Sequence, residues 1–136
     1  MRLNGHRKDH LNVEHRLYRK DWDEAQSEDV FGKCSNPNYN GHNYELVVAV
    51  KGEIHPETGF VMDLKLLKEM IYEEVEVPFD HKNLNEELPE FKELNPTTEN
   101  IAVVIWNKLR RKLKPELKLE VTLYETPRNF VTYNGE

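Results

Sequence analysis

Asn43-Tyr44-Glu45-Leu46-Val47-Val48-Ala49-Val50-Lys51 is the stretch that decides the fold. Tyr44, Leu46, Val48 and Val50 recur at every second position, the period of a strand with one buried face. The run continues to Ile54 and stops at His55-Pro56-Glu57-Thr58-Gly59, which is rich in turn formers. Upstream, residues 7–17 alternate in the same way, with Leu11 and Val13 set against His10, Asn12 and Glu14, so the two strands are expected to pair. Downstream the period changes to three and four. Asp63 is the expected N-cap of a helix that carries Leu64, Leu67, Ile71 and Val75 inward, with Leu66 and Met70 widening the stripe and Pro78 ending it. A second helix opens after Pro96, capped by Thr97 or Thr98, with Glu99 near the positive end of its dipole. It carries Ile101, Ile105, Leu109 and Leu113 inward and stops by Pro115. Alternation returns over residues 117–124 and 129–134, on either side of Thr126-Pro127-Arg128. Residues 21–33 are polar and acidic without a clear period and read as a surface loop. Because the two helices come as a block between pairs of strands, the pattern predicts an α+β fold, an antiparallel sheet with both helices on one face.

Composition narrows the function classes. The 136 residues are 38% apolar and 32% charged with both signs mixed, which suits one globular domain over 1–136. A net charge of -6 opposes general affinity for nucleic acid. No apolar run approaches the roughly 18 residues of a membrane span, and Met1-Arg2-Leu3-Asn4-Gly5-His6 lacks the apolar core of a signal peptide, so the expected location is the cytoplasm. Cys34 is the only cysteine, which excludes an intrachain disulfide and leaves the thiol for packing or chemistry.

Strand parity exposes polar residues on apolar rows. His15 extends the row of Leu11 and Val13, His42 leads into Tyr44 and Leu46, and Glu125 follows Val121 and Leu123. Two histidines on converging rows suit zinc, and a glutamate suits a ligand with paired N–H donors. Cys34 lies in the turn-rich stretch Gly32-Lys33-Cys34-Ser35-Asn36-Pro37-Asn38, where Lys33 or a nearby metal would favour the thiolate. Asp80 beside His81 would serve as a proton relay only if the chain turns there, since neighbours on an extended chain point apart.

That loop, with Gly41-His42-Asn43-Tyr44 after it, resembles the signature of the 6-pyruvoyl-tetrahydropterin synthase family. Further matches run in order through His15-Arg16-Leu17, Gly52-Glu53, Val61-Met62-Asp63-Leu64, Asp80-His81-Lys82-Asn83-Leu84, Thr97-Thr98-Glu99-Asn100 and Tyr124-Glu125-Thr126, covering nearly the whole chain. The resemblance implies the tunnelling fold: a four-stranded antiparallel sheet with two helices on one face, three subunits closing a barrel, and two trimers stacking as a homohexamer. It implies a zinc-dependent lyase that converts 7,8-dihydroneopterin triphosphate to 6-pyruvoyl-tetrahydropterin with loss of triphosphate. By the same resemblance Cys34 removes the substrate proton, Asp80 and His81 form its relay, Glu125 anchors the pterin, and Thr97, Thr98 and Glu99 complete the pterin pocket. Zinc would acidify the C–H that Cys34 deprotonates.

The family holds zinc with three histidines, and His15 and His42 stand in two of those places. The third is Asn40, where the family pattern reads His-Gly-His and this chain reads Asn40-Gly41-His42. An amide oxygen is a poor zinc ligand, and the sequence offers no evident replacement, because His10 has the wrong parity and His6 and His55 lie toward the far strand ends. Glu14, where a small residue is usual, is a second departure. The spacing across Asn36-Pro37-Asn38 resembles pyruvoyl enzymes more than the shorter loop of 6-carboxy-tetrahydropterin synthases of queuosine biosynthesis. A pterin-binding protein without turnover is the alternative of another class. Arg16, Lys33 and Lys82 are candidates for phosphate contact.

Overall fold

The computed structural model describes residues 1–36 and 39–136, and the side chain of Asn40 also lies outside the described residues. Two long strands form its frame: β1 (Arg2–His15) and β2 (Asn40–Glu53) pair antiparallel along their whole length, from Arg2 opposite Glu53 to His15 opposite Asn40. Strand β4 (Lys118–Tyr124) adds to the other edge of β2, and β5 (Phe130–Tyr133) follows by a hairpin. The sheet has five strands, not four. The extra member, β3 (Lys82–Asn83), runs parallel to β1 beside Val13 and Glu14, giving the order β3-β1-β2-β4-β5. Periodicity cannot reveal a two-residue strand.

The predicted alternation decides which face is covered. Leu11 and Val13, Tyr44 to Val50 on the even positions, and Leu119, Val121 and Leu123 are all buried against helices. Each buried aliphatic side chain contributes roughly 1.5–3 kcal/mol relative to an exposed one. Helix α2 (Leu64–Ile71) begins at Asp63, whose carboxylate accepts from the Lys65 N–H at 2.9 Å. Leu67, Ile71, Val75 and Phe79 point inward, whereas Leu64 and Leu66 of the predicted stripe are exposed. Helix α5 (Thr98–Arg110) is capped by Thr97, not Thr98, and buries Ile101, Val104, Ile105 and Leu109. Leu113 stays buried just beyond its end, in a turn closed by its N–H to the Leu109 carbonyl.

Two expectations about helices fail for local reasons. Residues 21–33 are not a loop: α1 (Glu24–Phe31) forms there, started by Asp23 accepting from the Gln26 N–H at 2.8 Å and stopped by Gly32 at a φ of 61°. This helix buries only Ser27, so it has caps but almost no apolar stripe to read. Nor does Pro78 end the first long helix. The chain passes through a π-turn at Tyr72–Glu76, where the Val77 N–H reaches back five residues to the Tyr72 carbonyl, and continues as α3 (Val77–Phe79). Widening the turn ahead of Pro78 is how a helix accommodates a residue that donates no N–H. A short α4 (Leu84–Glu87) completes the set, and no helix among the described residues is long and apolar enough to cross a membrane.

Glu76 of the π-turn also meets a buried polar residue of β1 that the sequence reading did not single out. Asp9 shares the face of Leu11 and Val13 and is buried, gripped by Arg7 through Nε at 3.3 Å and Nη2 at 3.2 Å. Glu76 lies against it. Burial first, then the hydrogen bond and charge of Asp9, push the Glu76 carboxyl up to about 7. The Glu76 carboxyl therefore keeps its proton toward neutrality. Because the folded chain keeps that proton when the unfolded chain has lost it, stability falls as pH rises from the ordinary carboxyl range through about 7. Glu76→Gln, which mimics the protonated form, is therefore expected to raise Tm by a few degrees at pH 8 and to match the parent at pH 4. Thermal melts across that range check it, and parallel Tm profiles would refute the retained proton.

Candidate active site and metal centre

The β1–β2 register carries two of the flagged residues to the same end of the sheet. Val13 stands opposite His42 and His15 opposite Asn40, so the His15 and His42 rings meet at 4.5 Å between centroids. His15 is fully buried. Its Nδ1 lies 2.9 Å from the Pro96 carbonyl, and a carbonyl can only accept, so Nδ1 carries the proton and Nε2 the lone pair. That Nε2 is buried without a hydrogen-bond partner among the described residues. Burial first, then the neighbouring His42, depress the pKa of His15 to about 4, which keeps the imidazole neutral. A neutral imidazole oriented through its other nitrogen is how proteins present histidine to a metal.

Cys34 comes to the same place from a different part of the chain. It sits in a 3₁₀ turn, Gly32–Ser35, that follows α1, and its Sγ lies 3.7 Å from His42 Nε2. The turn is pinned to the segment after β1: the Leu17 N–H donates to the Cys34 carbonyl at 2.6 Å, and Arg16 Nε donates to the Ser35 carbonyl at 2.8 Å. Asn85 holds that segment in turn, its amide bonding both the N–H and the carbonyl of Arg16. Through its Nε Arg16 thus acts as a structural clasp, its guanidinium stacked 4.0 Å over the Tyr18 ring. Sequence spacing had no means of showing this role.

One ligand atom each from His15, Cys34 and His42 lies within 4.8 Å of the others. Two imidazoles and a thiol, one imidazole nitrogen being buried and unpartnered, fit a borderline-soft cation such as zinc. Cys34 thus lies within reach of the imidazole pair. The expectation that Lys33 would favour the thiolate fails. Burial, and then the carboxylate of Glu125, hold the thiol above its ordinary range.

Glu125 follows β4 directly, and continuing the register one residue beyond Glu45 opposite Tyr124 places it beside Tyr44. Its backbone N–H closes the hairpin onto the Asn129 carbonyl at 3.0 Å, leaving the half-buried carboxylate near Cys34 and Tyr44. Thr98 is buried, whereas the Thr97 hydroxyl is already engaged as the cap of α5, accepting from the Asn100 N–H at 3.2 Å. Glu99, exposed in the first turn, lies close enough to Tyr44 to help hold its phenol neutral, behind the larger effect of burial.

Asp80 and His81 form a separate pair. The turn they require is present: His81 has a φ of 58°, its N–H bonds to the Asn12 carbonyl, and its Nε2 reaches Asp80 Oδ2 at 3.5 Å. Asp80 Oδ1 accepts from the Asn12 N–H at 2.7 Å, which anchors the pair to β1. His81 is exposed and shares with His42, Asn43 and Glu87 the lining of a cleft of about 450 Å³. Among the described residues no hydrogen bond joins it to Cys34. A larger cleft of about 730 Å³, bordered by Leu66, Met70 and Leu113, contains none of these groups.

The family model for 6-pyruvoyl tetrahydropterin synthase matches residues 5–136. The chain is 48% identical over 126 residues to the 6-pyruvoyl tetrahydrobiopterin synthase of Pongo abelii, covering 93% of this chain and 87% of the relative. It is 46% identical over the same length to the Homo sapiens protein of that name, with the same coverage. The solved structure of Caenorhabditis elegans 6-pyruvoyl tetrahydropterin synthase superposes with a TM-score of 0.92 at 36% identity, covering 100% of this chain and 97% of that one. With the described site, these matches show that the chain belongs to the 6-pyruvoyl tetrahydropterin synthase family.

Proposed function

We propose that this protein is a 6-pyruvoyl-tetrahydropterin synthase, acting on 7,8-dihydroneopterin triphosphate as a single domain over residues 1–136. The observation that carries the reading is the convergence of Cys34, His15 and His42 at one strand end, with Glu125 close by, in a chain of this family.

Glu125 accepts the paired N–H donors of the pterin ring, which sets the side chain of the substrate over Cys34. Thr98 and Glu99 border that ring, and Thr97 supports them as the helix cap. Cys34 takes a proton from the substrate side chain, and the electron pair left behind forms a double bond as the C–O bond to triphosphate breaks. The Asp80–His81 pair returns protons as hydrogen moves between ring and side chain. His15 and His42 would hold zinc, which supplies the Lewis acidity that eases this C–H deprotonation. An unpaired thiol fits a reducing compartment such as the cytoplasm.

Assembly follows from the edges of the sheet. Strand β5 leaves its outer edge open with Phe130 exposed, and β3 covers only Val13 and Glu14 of β1. Pairing such edges between copies closes a barrel and removes the exposed ladders, as the family's trimers and hexamers do.

Incubation with 7,8-dihydroneopterin triphosphate tests the reading, with the 6-pyruvoyl product and free triphosphate expected. A 6-carboxy product would place the chain with the queuosine-pathway relatives, and tight pterin binding without turnover would make it a binding protein. Glu125→Gln keeps the shape but turns one acceptor into a donor, so pterin affinity is expected to fall by roughly 1–3 kcal/mol with Tm unchanged. Unaltered affinity in isothermal titration would remove the anchoring role. Light scattering is expected to report about six times the chain mass of 16.2 kDa. A stable monomer at micromolar concentration would contradict the closed assembly.

A further inference from the structure

Within the proposed reading, the family's third imidazole is missing, and a different donor, Cys34, lies near the remaining pair. Three facts about the site bear on this. The buried His15 Nε2 has no partner among the described residues, although its ring is locked by the Pro96 carbonyl. Such an atom carries the cost of burial unless a cation or a hydrogen-bond donor takes its lone pair. His42 brings a second nitrogen, and Cys34 Sγ lies 3.7 Å from it. All three donor atoms fall within 4.8 Å of one another, and the 3.7 Å between Cys34 Sγ and His42 Nε2 is near the roughly 3.5 Å that a nitrogen and a sulphur adopt around one tetrahedral ion. The turn that carries Cys34 is fixed by the bonds from Leu17 and Arg16 and does not need to move to keep the sulphur there.

We propose that Cys34 is a metal ligand of the substrate-free protein, completing with His15 and His42 a two-nitrogen, one-sulphur site that needs no donor at position 40. The fourth position stays open, as a catalytic rather than structural zinc requires. The two roles of Cys34 belong to different states: ligand when the site holds no substrate, proton acceptor when it does. A thiolate in the set also biases the site toward zinc, cobalt or cadmium and away from magnesium or manganese. Alkylation or oxidation of Cys34 then removes a ligand and a base together.

Direct metal titration of the purified protein decides the matter. Cobalt(II) is expected to give a thiolate-to-metal charge-transfer absorption that is lost in Cys34→Ser, and bound zinc is expected to slow alkylation of Cys34 by iodoacetamide. Cys34→Ser is expected to weaken zinc binding by at least roughly 10-fold, the lower end of what even outer changes around a metal ligand produce. Asn40→Ala is expected to leave zinc affinity unchanged, and Asn40→His to restore it in the Cys34→Ser background. Unaltered circular dichroism of each variant separates ligand loss from misfolding. Cobalt binding without the charge-transfer band, or Cys34→Ser binding zinc like the parent, would overturn the ligand role. Turnover of 7,8-dihydroneopterin triphosphate by the same preparation would leave the proposed function standing. Failure of the parent to bind either metal overturns the inference, and turnover by the metal-stripped protein would in addition refute the zinc-assisted mechanism.

Discussion

The register between β1 and β2 is the constraint on which the rest of the molecule depends. Strand side chains alternate with a period of two, so a slip of one residue would move His15 off the core face together with Leu11 and Val13. The alternation of apolar residues on both strands makes that slip costly, because it would expose two rows at once. The same hydrophobic pattern that builds the core therefore sets the distance between the two imidazoles. Glu125 is placed by the next ladder, β2 with β4, on the opposite side of Tyr44.

What surrounds this frame is held by polar bonds rather than by apolar area. Leu17 and Arg16 grip the turn of Cys34, Asn85 grips Arg16, and the Pro96 carbonyl orients His15. Asn12 holds Asp80 and His81 from the other edge. Each group with chemistry to perform is thus supplied by a strand end or a connecting segment, and each is anchored to a rigid ladder. Most of these anchors are side chain to backbone, and they join positions far apart in the chain.

Burial acts on the site groups with one physical sign and several outcomes. By disfavouring charge it keeps His15 neutral and Cys34 a thiol, and away from the site it holds the proton on Glu76 toward neutrality. For His15 this is useful without further change, since a neutral nitrogen is the one that binds a cation. For Cys34 the same environment works against the thiolate, and Glu125 adds to it.

The sequence alone determined the two long strands, the faces they bury, the two long helices and the polar residues that break the apolar rows, because these rest on periodicity and on caps such as Asp63. It also singled out His15, His42, Cys34 and Glu125 as candidate site residues, partly by parity and partly by family resemblance. Tertiary structure decided the rest. It showed that α1 forms on caps without an apolar stripe, that a π-turn carries the helix past Pro78, and that β3 exists only because Lys82 and Asn83 meet β1. It turned Arg16 into a clasp and brought the Cys34 sulphur to His42. These outcomes depend on contacts between residues remote in sequence, and no local pattern encodes which remote partner a lone side chain or a short segment will meet.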